Sequence, residues 1–342
     1  MRAGLAGRTA ELEQLAVEMD ARGLNTGDIE ATFRDATGTS VLSRTAVSQI
    51  TERLWQEYEA FANRDLSEFA VAYLFIDGVA ERLHVGLPRE AVLCAWGITE
   101  AGQKVLLHLA PGTKEDTASC TAFFEDLKRR GLADPLLVVT DGAPGLIRAV
   151  ETCFPRALRQ RCLVHRLRNL RSRAPESLWA EIAARTRGCY MAASPALASV
   201  LCEDFVTTYE RELPAVVQCF QDDFAACIAH LRFPLRHRRV IRTTNLIERL
   251  FLEERRPTKI VPHAFGERPV LKLMYAAIIR AAERWRGIQV GEFDQRQLRA
   301  IGDELNRAHA QRVASAVPRT TSAVVTRVRG GARQIRVGPR TR

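Results

Sequence analysis

Lysine is nearly absent from this chain: of 50 basic residues only five are Lys and 45 are Arg. A GC-rich coding sequence produces that skew without any selection for phosphate contacts, so the basic count alone does not identify a polyanion partner. Long apolar runs are missing as well. No stretch approaches the ~18 uninterrupted apolar residues of a membrane span, and Met1 to Arg8 lacks the apolar region of a signal peptide. The expected location is therefore the cytoplasm. The eight cysteines contain no C-x-x-C pair, which excludes a four-cysteine zinc ribbon, and their scatter over 342 residues fits reduced thiols rather than a disulfide framework. There is no G-x-x-x-x-G-K-[ST], no G-x-S-x-G and no G-x-G-x-x-G after a strand. P-loop hydrolysis, serine-hydrolase chemistry and dinucleotide binding thus have no support.

What is present is a chain long enough for about two domains, 46 % apolar and 26 % charged, with a net charge of +10. Arg312 to Arg342 holds eight arginines and no acid, so most of that excess lies in the last stretch. The remainder is close to neutral, and the motifs must decide the function.

Helical spacing opens the chain. Leu12, Leu15, Ala16 and Met19 mark a helix over Arg8–Asp20, and Ile29 and Phe33 mark another over Thr26–Arg34. A turn through Thr37-Gly38-Thr39 leads to a longer helix from near Ser43. Its buried face is Val47, Ile50 and Leu54; its outer face carries Arg44, Thr45, Ser48, Gln49 and Glu52. This pattern fits a helix-turn-helix reader of the DNA major groove and equally a three-helix cap whose polar face meets water.

From Phe69 the period changes. Ala70–Ile76, Ala91–Gly97 and Lys104–His108 read as an antiparallel meander, with a turn at Glu100-Ala-Gly102. Then come a helix over Cys120–Arg130, a strand over Pro135–Thr140, a helix over Pro144–Cys153 and a strand over Leu158–Val164. That order predicts an α/β fold with a ribonuclease-H-like core. Helical patterns continue over Ser177–Arg185, Ala215–Leu231, Leu271–Trp285 and Phe293–Arg312. The expected boundaries are a helical DNA-binding region at 1–65, a catalytic domain at 66–270 with a helical insertion at about 174–238, C-terminal helices at 271–314, and a basic tail at 315–342.

Two acids stand out by position. Asp77 is expected to end the first strand and Asp141 the fourth, strands that this topology makes neighbours. Each precedes a glycine, Gly78 and Gly142, that would let the backbone turn away. Such carboxylates can hold two hard cations ~3.5–4 Å apart for phosphodiester chemistry; each Asp-Gly is also an ordinary turn. Glu248 is the third candidate. Asn245-Leu-Ile-Glu248 has the spacing of a capping box, yet a two-metal site wants a third carboxylate from a separate helix. Arg242, Arg249, Arg255, Arg256 and Lys259 surround it, with Arg166 and Arg168 upstream; all are candidate phosphate contacts. Cys162-Leu-Val-His165 has permissive zinc spacing but no second pair nearby.

Taken in order, these segments resemble the prokaryotic Mutator-type insertion-sequence transposases, which use an Asp-Asp-Glu triad. The resemblance runs from Leu24-Asn-Thr-Gly-Asp-Ile-Glu30 and Leu42-Ser-Arg-Thr-Ala-Val-Ser48 through Leu74-Phe-Ile-Asp-Gly78, Val138-Val-Thr-Asp-Gly-Ala-Pro-Gly-Leu146, Gln160-Arg-Cys-Leu-Val-His165 and Arg242-Thr-Thr-Asn-Leu-Ile-Glu-Arg249 to Trp285-Arg-Gly. It implies a ribonuclease-H-like domain interrupted by helices, with Asp77, Asp141 and Glu248 as catalytic metal ligands and Cys162 and His165 matching the family's Cys-x-x-His. It further implies two Mg²⁺ ions, for which Mn²⁺ can substitute. The partner would be double-stranded DNA, both the terminal inverted repeats and the target, bound by a homodimer or larger synaptic assembly at the nucleoid. The alternatives are a binding-only remnant and a metal-dependent nuclease of the same fold. The chain departs from the pattern by starting almost at its first helix and by the arginine-rich tail after about Ala314.

Overall fold

Alternating side chains on short strands, apolar on both faces, dictate a sheet covered on both sides. The computed structural model describes residues 19, 26–32, 44–81, 90–112, 116–245, 267–283 and 286–316. Within them the strands are β1 (Val71–Glu81), β2 (Glu90–Thr99), β3 (Lys104–Pro111), β4 (Leu137–Thr140) and β5 (Leu158–Arg161). They form one mixed sheet in the order β3-β2-β1-β4-β5. β1, β2 and β3 pair antiparallel, as a meander requires, while β4 lies parallel to both β1 and β5. Gly102, at φ +83°, makes the β2–β3 turn, where its N–H donates to Thr99 O at 2.8 Å.

The helices follow from the same alternation. One sheet face carries Leu74, Ile76, Leu93, Ala95 and Val138. It is covered by α3 (Thr117–Arg129) and α4 (Pro144–Cys153), through Phe123, Phe124, Leu127, Leu146 and Val150. The other face carries Tyr73, Phe75, Val79, Cys94, Trp96 and Val139. Against it pack α2 (Arg44–Asn63), α10 (Leu235–Ile241), α11 (Glu267–Glu283) and α12 (Glu292–Ala316). Before α2 lies the short α1 (Thr26–Thr32). A third core, centred on Leu170, Ile182, Tyr190, Phe205 and Phe220, is built by α5 (Leu163–Arg171), α6 (Trp179–Tyr190), α7 (Pro195–Tyr209), α8 (Pro214–Gln221) and α9 (Phe224–Ile228). No described helix is long and apolar enough to cross a membrane.

Several expected boundaries move. β1 runs on through Asp77 to Glu81 because β2 lies beside it over the whole length, down to the pair Glu81–Glu90. β5 stops at Arg161; Leu163 and Val164 belong to α5, where Leu163, Arg166 and Leu170 recur at helical spacing on its buried face. The single helix expected over 215–231 is broken at Asp222 and Asp223, the latter in a left-handed conformation at φ 60°. Arginines from β5 and α5 hold the break: the Arg159 guanidinium makes a forked pair with Asp223, and Arg166 reaches Asp222. The C-terminal helix runs to Ala316, into the expected tail; the helix expected over Arg8–Asp20 (apart from residue 19), the turn Thr37–Thr39 and the rest of the basic tail, from 317 on, lie outside the described residues.

Candidate active site

The two expected acids sit at one place on the sheet, by different means. Asp77 lies within β1, opposite Cys94 of β2, and is 4 % exposed. One of its carboxylate oxygens accepts the Gly78 N–H at 2.8 Å. Gly78 does not turn the chain: it stays in the ladder opposite Leu93, and the described glycines with positive φ are Gly102, Gly131 and Gly142. Asp141 does follow a strand end. Its Oδ1 accepts the Ala143 N–H at 3.0 Å, an Asx turn, and Gly142 adopts φ +89°. A Cβ on Gly142 would collide with the Arg161 guanidinium, so the turn needs glycine twice over.

Register brings the acids together. Tyr73, Leu74 and Phe75 of β1 pair with Leu137, Val138 and Val139 of β4. The same offset sets Asp77 against Asp141, two positions beyond the last pair. Alternation puts Asp77 on the face of Tyr73, Phe75 and Val79, and Asp141 on the face of Leu137 and Val139; all five of these apolar residues belong to one core. Neighbouring strands lie about 4.8 Å apart. The acids thus share one face at the point where β4 ends and β1 continues.

The Cys162-x-x-His165 motif ties this edge to a second segment. The Cys162 N–H donates to Thr140 O at 2.7 Å, and Cys162 occupies the N-cap position of α5. Its buried Sγ accepts from Thr244 N at 3.3 Å and Thr244 Oγ1 at 3.4 Å, while the Leu163 N–H donates to Arg242 O at 3.0 Å. Burial pushes the Cys162 thiol up, but hydrogen bonds with His165 and Thr244 outweigh it and hold the thiol below its usual range. His165 is raised, chiefly by the hydrogen bond with Cys162 and, after burial works against it, by the charges of Cys162, Asp77 and Asp141. The motif therefore stands beside both acids and clamps the turn that leads into Asn245. Neither Thr244 nor this clamp was singled out in the sequence; the Thr-Thr-Asn run before a helix was the available signal.

The remaining candidates divide. Thr45, Ser48 and Gln49 are exposed on α2, which starts at Arg44, and Arg168 is exposed on α5. Arg166 does not face a DNA backbone. It is 1 % exposed, with Nη1 3.2 Å from Asp222 Oδ2, because burying a guanidinium requires a carboxylate and carbonyl to satisfy it. Glu248, Arg249, Arg255, Arg256 and Lys259 lie outside the described residues.

Comparison with known proteins bears on the whole arrangement. Residues 6–287 match the family described as Transposase, Mutator family. The chain is 29 % identical over 267 residues to the transposase for insertion sequence element IS6120 of Mycolicibacterium smegmatis, covering 78 % of this chain and 83 % of that protein. It is 33 % identical over 206 residues to the transposase for insertion sequence element IST2 of Acidithiobacillus ferrooxidans, covering 60 % and 70 %. A third relative, the transposase for insertion sequence element ISRM5 of Rhizobium meliloti (strain 1021), is 28 % identical over 270 residues, covering 78 % and 67 %. With four-fifths of its length inside the family match, the chain belongs to the Mutator family of transposases.

Proposed function

We propose that this chain cuts and joins DNA at the ends of an insertion sequence, in a Mg²⁺-dependent reaction carried by Asp77, Asp141 and Glu248. The observation that carries the reading is the matched register of the two aspartates on one sheet face, where adjacent strands part. The sheet order, with three antiparallel strands followed by two parallel ones, supports the ribonuclease-H-like reading. The polar residues exposed on α2 support the helix-turn-helix reading. Glu248 is supported by chain geometry. Three residues span at most about 11 Å, and Asn245 is the residue after Thr244, which Cys162 anchors beside the acids. The relatives' names as insertion-sequence transposases favour joining over simple hydrolysis.

The donor set fits the metal: hard carboxylate oxygens suit Mg²⁺ or Mn²⁺, whereas the Cys162 sulfur already accepts from Thr244. Bound there, the cations supply Lewis-acid activation of a water or 3′-hydroxyl and charge neutralisation at the leaving oxygen. The chain's own part is rigidity. β1 holds Asp77 inside a paired strand, the Asx turn fixes Asp141, and the Cys162 clamp sets where the third acid's segment begins. His165 stands beside the carboxylates, whose charge helps to raise its pKa, and exposed arginines such as Arg168 meet phosphates. A homodimer or larger assembly would bring two DNA ends together.

The test is cleavage and strand transfer on DNA carrying the sequences that flank the gene. Asp77→Ala should abolish Mg²⁺-dependent cutting and leave DNA affinity within a few-fold; retained cutting overturns the assignment. Glu248→Gln separates ligand from helix cap: it should fold normally yet lose strand transfer by at least about a hundredfold, on the order of 3 kcal/mol of transition-state stabilisation. Products that are cut but never joined would favour the nuclease reading.

A further inference from the structure

Beside the Cys162–Thr244 clamp, lined by Leu163, Thr243 and Asn245 next to it in sequence, lies a pocket of about 570 Å³, within the range of pockets that take small ligands. Its apolar part is formed by Leu163, Tyr190 and Met191; around it stand Arg187, Arg239 and Arg242. No described carboxylate lines it. This contrasts with the neighbouring arginines of β5 and α5, which are paired with Asp222 and Asp223. The Arg242 guanidinium lies against Met191 Sδ rather than an acid. Burial and then repulsion from Arg239 lower its pKa, the mark of cations gathered without a counter-charge. Asn245, in the turn that leads toward Glu248, also lines the pocket, and its buried Oδ1 has no hydrogen-bond partner among the described residues.

An apolar recess ringed by three guanidinium groups is complementary to a planar base with an attached phosphate. We infer that this pocket receives a single unstacked nucleotide of the DNA next to the reacting bond, its base against Met191 and its phosphate between Arg187, Arg239 and Arg242. Bases inside a duplex are closed off by stacking and pairing, so a recess can take one only when it leaves the stack. Guanidinium pairs fix the phosphate, and apolar or aromatic contact takes the base face without regard to sequence. Arg242, Thr243 and Asn245 of the turn that Cys162 clamps line the pocket, so filling it would bear directly on the segment that leads to Glu248. This inference rests on the reading of the chain as a DNA-cutting enzyme, but its test does not use cutting.

The probe is a DNA hairpin with a three-nucleotide single-stranded overhang bearing 5-iodo-deoxyuridine, made in both polarities and compared with a blunt hairpin. It is irradiated with the full chain in EDTA and the adducts are mapped by mass spectrometry. The expected adducts fall on Met191, which is exposed beside the buried Tyr190, form with the overhang and not the blunt hairpin, and drop at least tenfold in Arg187→Ala/Arg239→Ala. Should that variant fail to fold, Met191→Glu serves instead, because Met191 is 56 % exposed and tolerates charge; the same drop is expected. Adducts confined to other residues, equal yields with the blunt hairpin, or yields unchanged in the variants overturn the pocket. Cutting without these adducts removes the pocket and leaves the function standing; adducts without cutting do the reverse.

Discussion

Asp77-Gly78 and Asp141-Gly142 are the same dipeptide in two different backbones. The first is embedded in an antiparallel pair, its glycine in the ladder opposite Leu93. The second closes a short parallel strand with an Asx turn and a glycine at φ +89°. One acid is positioned by a neighbouring strand, the other by its own turn, and the shared register places them on one face. A carboxylate site therefore needs only the pairing of two strands, while its surroundings set how each acid tolerates change.

The largest expected effect concerns the histidines, which repeat the contrast between acid-facing and buried surroundings. His165 is raised, first by Cys162 and then by the two acids. His230 is held down at about 4, first by burial and then by Arg242, and His108 is lowered by burial despite Asp126. A depressed histidine is neutral when folded and protonated when unfolded between its two pKa values. Its contribution is thus complete above about pH 6.5 and lost as pH falls toward 4, roughly 3 kcal/mol for His230. Urea unfolding between pH 7 and pH 4.5 should show this decline, with a shallower slope in His230→Gln. A flat profile would mean the site is not closed to protons.

Next in size is the glycine pair. Gly142→Ala must place a Cβ at positive φ against the Arg161 side chain, at a cost of about 1–3 kcal/mol. Gly78→Ala carries no such backbone penalty. Thermal melts of the two variants should differ in that order; equal losses would show that both glycines serve the same turn.

The smallest effect separates the turn from the charge. Asp141→Ala loses the acceptor for the Ala143 N–H, about 1 kcal/mol, whereas Asp141→Asn keeps it. Stability should distinguish these two variants while activity should be lost in both.

Much of this was legible in the sequence. The apolar run Ala70–Ile76 announces β1, and the helix over Pro144–Cys153 has the expected bounds. The strand end at Asp77 was misplaced because a glycine after an acid looks alike in a turn and in a ladder; only the length of β2 decides. Leu163 and Val164 look like strand in the sequence because two β-compatible residues after β5 carry no period of their own. The long helix over 215–231 concealed a break made by arginines some 60 residues earlier in the chain, a nonlocal cause. The same holds for the Cys162–Thr244 clamp, 82 positions apart. Arginine pairing is likewise invisible locally: Arg166 and Arg168 look equivalent, yet one is buried against Asp222 and the other exposed.

The central claim, that register-matched carboxylates hold divalent cations, is tested most directly by counting bound Mn²⁺. Electron paramagnetic resonance of free Mn²⁺, titrated against the full chain, should give two bound ions for the wild type and loss of at least one in Asp77→Asn and in Asp141→Asn. Unchanged stoichiometry and affinity in the well-folded double variant would contradict it.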